Sequence, residues 1–175
     1  MMGPFIYDWR NMLTKDGSES KLYKDIQQLM DSLSLDVVEV NTHDEKNETI
    51  MQLFLNKRGG EITTEDLEKA YNIVYPRYSV IFQNRDLTLE VTSPGLQRSL
   101  KDWHEFEIFK GKDVRVYSTK YSTYIVGKIE SCNSDTLEIS NYMIEDKKEK
   151  GDRIILDCDE IAKAKLEYRW EGRNA

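Results

Sequence analysis

Cysteine, histidine and proline are all scarce, at two, two and three among 175 residues. Two cysteines, Cys132 and Cys158, cannot build a disulfide framework, and neither has a second Cys or His at metal-ligand spacing. A reducing, cytoplasmic setting follows, with both read as small, partly buried hydrophobes. Two histidines leave little material for acid–base or nucleophilic catalysis. His104-Glu105 begins like a zinc-protease helix, but Ile108 stands where the second ligand is required. No run of about 18 apolar residues occurs, so no membrane-spanning helix is expected. Positive charge is also lacking: 25 basic residues face 32 acidic ones, for a net charge of −7.

The charge is unevenly spread. Residues 1–100 hold 11 basic and 16 acidic side chains, and residues 101–175 hold 14 and 16. Neither half has the positive field on which generic nucleic-acid binding depends. A basic protein partner suits this balance better than naked RNA, and ribosomal proteins are abundant basic partners. The plainer alternative is that the charge serves solubility.

Leu22, Ile26, Leu29, Met30 and Leu33 recur at helical spacing, with Ser18 or Ser20 available as N-cap. Residues 35–41 and 49–56 read as strands, with polar residues 42–48 as a seven-residue hairpin loop. Thr63 and Asp66 form a loose capping box ahead of Leu67, Ala70, Tyr71 and Val74. Pro76 is expected to end or kink this second helix. Residues 86–92 alternate as a third strand. The first half therefore reads αββαβ, helices on a three-stranded sheet.

The second half changes character. Short strands are expected at 113–118, 123–130, 136–140 and 153–157, with a fifth at 162–166. Such spacing indicates a small barrel or sandwich. Gly127, inside the longest strand, marks a bend or bulge, and the charged residues 145–152 read as a loop. The fold class is thus α+β, an αββαβ domain followed by a small all-β barrel. Residues 1–20 read as an extension, either disordered or carrying a short docking helix around residues 9–13. The domains are then 21–100 and 101–175, with the boundary between Leu100 and Phe109.

Several chemical motifs are missing. Gly59-Gly60 lacks the rest of a phosphate-binding loop, and there is no Gly-x-x-Gly clamp or aromatic RNP strand. No catalytic residue, cofactor site or metal site is nominated.

The most specific stretch is Leu89-Glu90-Val91-Thr92-Ser93-Pro94-Gly95-Leu96-Gln97-Arg98-Ser99-Leu100. Pro94 and Gly95 suit the central positions of a type II turn, with Gly95 at positive φ. This stretch resembles the signature of the RimP family, a strand followed by Ser-Pro-Gly-Leu, an aspartate and Arg-Pro-Leu. Gln97 and Ser99 depart from that pattern, replacing the aspartate and the second proline. Gly60-Glu61-Ile62-Thr63-Thr64-Glu65-Asp66-Leu67, Phe109-Lys110-Gly111-Lys112-Asp113-Val114-Arg115-Val116 and Ile161-Ala162-Lys163-Ala164-Lys165-Leu166 are similar to further family segments, in the same order.

The resemblance implies an Sm-like five-stranded barrel as the second domain. It implies a non-catalytic factor, a monomer, that binds the immature small ribosomal subunit and assists incorporation of a ribosomal protein, with ribosomal RNA nearby. An Sm-like regulator acting on free RNA is the alternative. Ser93, Pro94, Gly95, Leu96 and Arg98 are the candidate partner-binding or domain-orienting residues. Arg98 either meets a partner's phosphate or carboxylate or clamps the two domains. Lys112, Arg115, Tyr121 and Tyr124 are candidate barrel contacts, from a set of basic residues interleaved with tyrosines.

Overall fold

Ser20 accepts a hydrogen bond from the Tyr23 backbone N–H at 3.1 Å and so caps the first helix, α1 (Lys21–Asp31). The computed structural model describes residue 13, residues 17–83 and residues 85–168. Most of the expected extension over residues 1–20 lies outside the described residues. The apolar stripe of α1 buries Ile26 and Met30 against a sheet of β1 (Leu35–Glu45), β2 (Glu48–Lys57) and β3 (Asp86–Thr92). Gln27 ties helix to sheet, accepting from the Val37 N–H at 2.7 Å and donating to the Leu35 carbonyl at 3.1 Å.

β1 and β2 are antiparallel, whereas β2 and β3 are parallel in the order β1-β2-β3. A parallel pair needs a crossover, supplied by α2 (Thr64–Ile81). Its N-terminus carries the complete capping box that the sequence suggested, Thr63 and Asp66 each bonding the other's backbone N–H. Asp25 of α1 receives Arg77 of α2 in a two-point ion pair, at 2.6 and 2.9 Å, and also the Tyr78 hydroxyl. Burial first, then the Asp25 bond, pushes the Tyr78 phenol well up. Leu35, Met51, Leu53, Leu55, Ala70 and Val74 complete the core.

Three local expectations are corrected in this unit. The seven-residue hairpin loop is a two-residue turn, because cross-strand pairing continues to Glu45↔Glu48 and Lys46 takes the left-handed conformation at φ 48°. Pro76 does not end α2, since the helix runs on to Ile81. Both Pro76 and Asn72, whose carbonyl loses its helical donor, are exposed, so water can replace the missing bond. Gly95 does not have positive φ. The turn that follows Pro94 falls on Leu96 and Gln97 instead.

The chain divides between Gly95 and Leu96. That is earlier than the expected boundary between Leu100 and Phe109, because β4 (Ser99–Leu100) pairs with the last strand of the second unit. The short helix α3 (Glu105–Ile108) leads into β5 (Asp113–Ser118), β6 (Thr123–Cys132), β7 (Thr136–Ile144), β8 (Glu149–Asp157) and β9 (Ile161–Leu166). The sheet order is β4-β9-β5-β6-β7-β8, all antiparallel, with the last strand returning beside the first of the five. The chain is thus α+β, and among the described residues the hydrogen-bonded ladder of the second unit stays open between β8 and β4.

Gly127 occupies a bulge in β6, as its position implied, where the register slips between Val126 and Lys128. A Cβ there would lie 2.4 Å from Ile139 Cγ2 and 2.8 Å from the Ser140 carbonyl oxygen. The charged stretch 145–152 is not one loop: only residues 145–148 turn, and β8 begins at Glu149. Phe106, Ile125, Ile129, Leu137, Ile139 and Ile144 form the interior. Trp103 packs edge-on against Phe106 at 5.0 Å and donates its indole N–H to the Asn133 carbonyl at 2.7 Å.

Candidate functional site

Strand parity decides which side chains of the second unit face water. In β5, Val114, Val116 and Ser118 are buried, leaving Asp113, Arg115 and Tyr117 on the outer face. In β9, Ala164 and Leu166 point inward and Lys163 and Lys165 outward. Antiparallel pairing then sets Lys165 opposite Arg115, Lys163 opposite Tyr117, and Tyr117 opposite Tyr124 of β6. Three separate strands thereby supply one basic and aromatic face.

Arg115 is its centre. The guanidinium carbon lies 4.1 Å from the centroid of the Tyr124 ring, and Nη2 donates to Glu145 at 2.9 Å. Its Nε is buried without a hydrogen-bond partner among the described residues. Tyr124 meets Tyr117 edge-to-face at 5.2 Å, and the Lys163 ammonium lies 5.6 and 6.0 Å from the two ring centroids. Each such cation–ring contact is worth about 0.5–1 kcal/mol at an exposed site. Beside this face runs a groove of about 550 Å³, walled by Ser99, Lys101, Arg115, Tyr124, Lys163 and Lys165. Gln97 and Glu167 also reach it, and Glu167 is the one acidic group among its lining residues.

Arg98 does not line this groove. It is buried, with its side chain 7 % exposed, and bonds Glu105, 1 % exposed, through Nε at 3.0 Å and Nη2 at 2.8 Å. Glu105 also accepts from the Lys101 N–H at 3.4 Å, and the Arg98 carbonyl accepts from Leu166 at 2.9 Å. Arg98 thus locks β4 and α3 together within the second unit. Immediately before it, Ser93, Gly95 and Leu96 are exposed and Pro94 half-buried, with Leu96 67 % exposed.

The structure brings Arg115 and Tyr124 together but separates them from the other two nominated barrel residues. Lys112 precedes β5, whereas Tyr121 sits in the turn after it. Tyr121 has its own cations, with the Lys120 and Lys147 ammonium groups each 5.7 Å from the ring centroid. Lys163, Lys165 and Lys101 were not nominated. The alternation Ala-Lys-Ala-Lys-Leu was a visible signal of two outward lysines, but not of the strand they would lie beside.

The remaining reactive groups sit elsewhere. His104 bonds Asp102 through Nδ1. Burial first, then the Glu107 charge, raises the half-buried Cys132 thiol to about 11, an unreactive state at neutral pH. No group of three or more His, Cys, Asp or Glu that could hold a metal occurs among the described residues.

Comparison with known proteins finds similarity in the first half of the chain. Residues 25–97 match the RimP N-terminal domain. Two relatives, each named ribosome maturation factor RimP, agree. That of Borrelia turicatae is 27 % identical over 97 residues, covering 55 % of this chain and 66 % of its own. That of Borrelia hermsii is 26 % identical over 104 residues, covering 59 % and 71 %. Residues 25–97 are thus similar to the N-terminal domain of the RimP family.

The match spans just under two thirds of the first relative's length. The RimP N-terminal domain takes in β3 and the Ser93-Pro94-Gly95-Leu96 segment, and ends just before Arg98. Apart from Gln97, the residues that line the groove lie beyond the matched stretch.

Two solved structures are similar to part of the chain. An Sm-like archaeal protein from Pyrobaculum aerophilum has 17 % identity and a TM-score of 0.34, covering 37 % of this chain and 50 % of its own. An Sm-like protein from Archaeoglobus fulgidus has 19 % identity and a TM-score of 0.33, covering 36 % and 89 %.

Proposed function

We propose that this protein is a ribosome maturation factor that acts by binding, without catalysis, during assembly of the small ribosomal subunit. The observation that carries the reading is the match of residues 25–97 to the RimP N-terminal domain, whose named relatives are ribosome maturation factors. The direct protein partner is a basic small-subunit ribosomal protein, in keeping with a net charge of −7. Attraction between opposite charges speeds such an encounter more than it tightens the final complex. The protein works as a monomer in the cytoplasm, with its two units holding separate parts of the subunit. Ser93, Pro94, Gly95 and Leu96 face the partner from a short segment whose far end Arg98 anchors.

Sucrose-gradient sedimentation of a lysate containing the tagged protein tests this. The tag is expected with immature small subunits, and deletion of the gene should raise the share of unjoined subunits. A tagged protein found only at the top of the gradient, with an unchanged subunit profile on deletion, rejects the proposal.

A further inference from the structure

We infer that the groove beside β9 and β5 binds single-stranded RNA, holding backbone phosphate with Lys163, Lys165 and Arg115 and stacking a base on the Tyr124–Arg115 platform. The inference deepens the proposed function and rests on it for the assignment to ribosomal RNA, while the chemistry of the groove stands by itself. Four cations line the groove against a single lining carboxylate, Glu167, with Glu145 pairing Arg115 from outside the lining, in a half of the chain whose net charge is −2. The positive charge is therefore gathered on one face against the prevailing sign. Lys163 and Lys165 are exposed and carry no ion pair among the described residues, so both can reach an anion.

The aromatic component separates RNA from other anions. The Arg115 guanidinium carbon sits over the Tyr124 ring, 4.1 Å from its centroid, and Tyr117 meets that ring edge-to-face. A planar cation on an aromatic ring gives a nucleobase a flat, polarised surface, and base stacking contributes about 1–3 kcal/mol per base. An acidic peptide would use the lysines but not the platform. A duplex would present phosphates but keep its bases stacked internally. The volume of about 550 Å³ falls within the usual range of ligand pockets, roughly 300–1,000 Å³.

The test is fluorescence anisotropy of a labelled oligouridylate with the full chain, over a range of salt. Three phosphate contacts predict a log–log salt slope of about −2 for a single strand. Lys163→Glu together with Lys165→Glu should weaken binding at least tenfold and flatten the slope. Tyr124→Leu, which keeps much of the side-chain volume, should weaken binding about fivefold or more and leave the slope intact. Circular dichroism establishes that each variant is folded, and the two lysines are exposed enough to be replaced without unfolding.

No saturable binding below roughly 1 mM at low salt overturns the inference. Unchanged affinity in the lysine double variant, or competition by polyglutamate as effective as by unlabelled oligouridylate, overturns it too. Failure here is distinct from failure of the proposed function. A protein that sediments with immature subunits but binds no oligouridylate sinks only the groove assignment. One that binds oligouridylate but never sediments with subunits sinks only the ribosomal reading.

Discussion

Arg98 and Glu105 form a two-point ion pair inside the second unit, with side chains 7 % and 1 % exposed. Burial makes this pair a fixed structural element, not a free binding group. The carboxylate comes from α3, seven residues along the chain, and not from the adjacent position, which Gln97 fills.

Breaking the pair from one side should leave a buried charge without its two-point partner. Glu105→Leu or Arg98→Met is expected to destabilise the second unit by about 3–5 kcal/mol. The double replacement Arg98→Met with Glu105→Leu should cost clearly less than the two single changes added together. Urea denaturation of all four proteins measures this. Additive effects would mean that the two side chains are not coupled.

The glycines make a second prediction by contrast. Gly127→Ala forces a Cβ to within 2.4 Å of Ile139 and 2.8 Å of the Ser140 backbone. The bulge must shift, at a cost of about 1–3 kcal/mol. Gly95→Ala meets nothing within 4 Å and no positive φ. It should change stability by no more than about 0.5 kcal/mol. Thermal unfolding of both variants checks the pair, and a reversed order would contradict the structure.

The helix cap gives a pH dependence. Asp66 is held down to about 2, first by the Thr63 backbone N–H, then by Lys57 and the Thr63 hydroxyl. Its unfolded value is about 3.9. The charged form is therefore the one favoured by folding, and the contribution is complete above about pH 5. It is lost as pH falls from about 4 through 2. Wild type should lead Asp66→Asn in urea midpoint at pH 7, and the gap should close across that acidic window. A gap that persists unchanged at pH 2 would exclude the cap as its source.

Local physics made much of this molecule legible. The α1 stripe, the Thr63–Asp66 cap and the Gly127 bulge depend on residues a few positions apart or on one missing side chain. The same local reasoning failed where neighbours outside the segment intervened. Residues 42–45 are polar, yet β2 supplies their hydrogen bonds and keeps them extended. Pro76 breaks a helix only if the lost bond matters, and here it faces solvent.

The sequence by itself determined the family signature, the αββαβ order, the run of short strands and the alternation of Lys163 and Lys165 with Ala164 and Leu166. It also placed Arg115 and Tyr124 among the candidates. Tertiary structure alone decided that β9 returns beside β5, bringing Lys165 opposite Arg115 from 50 positions away. It alone gave Arg98 to Glu105 and moved the unit boundary to Gly95 through the pairing of Ser99 with Lys165. The reason is physical: periodicity encodes which face a side chain occupies, whereas strand partners depend on the closure of a whole sheet around one core.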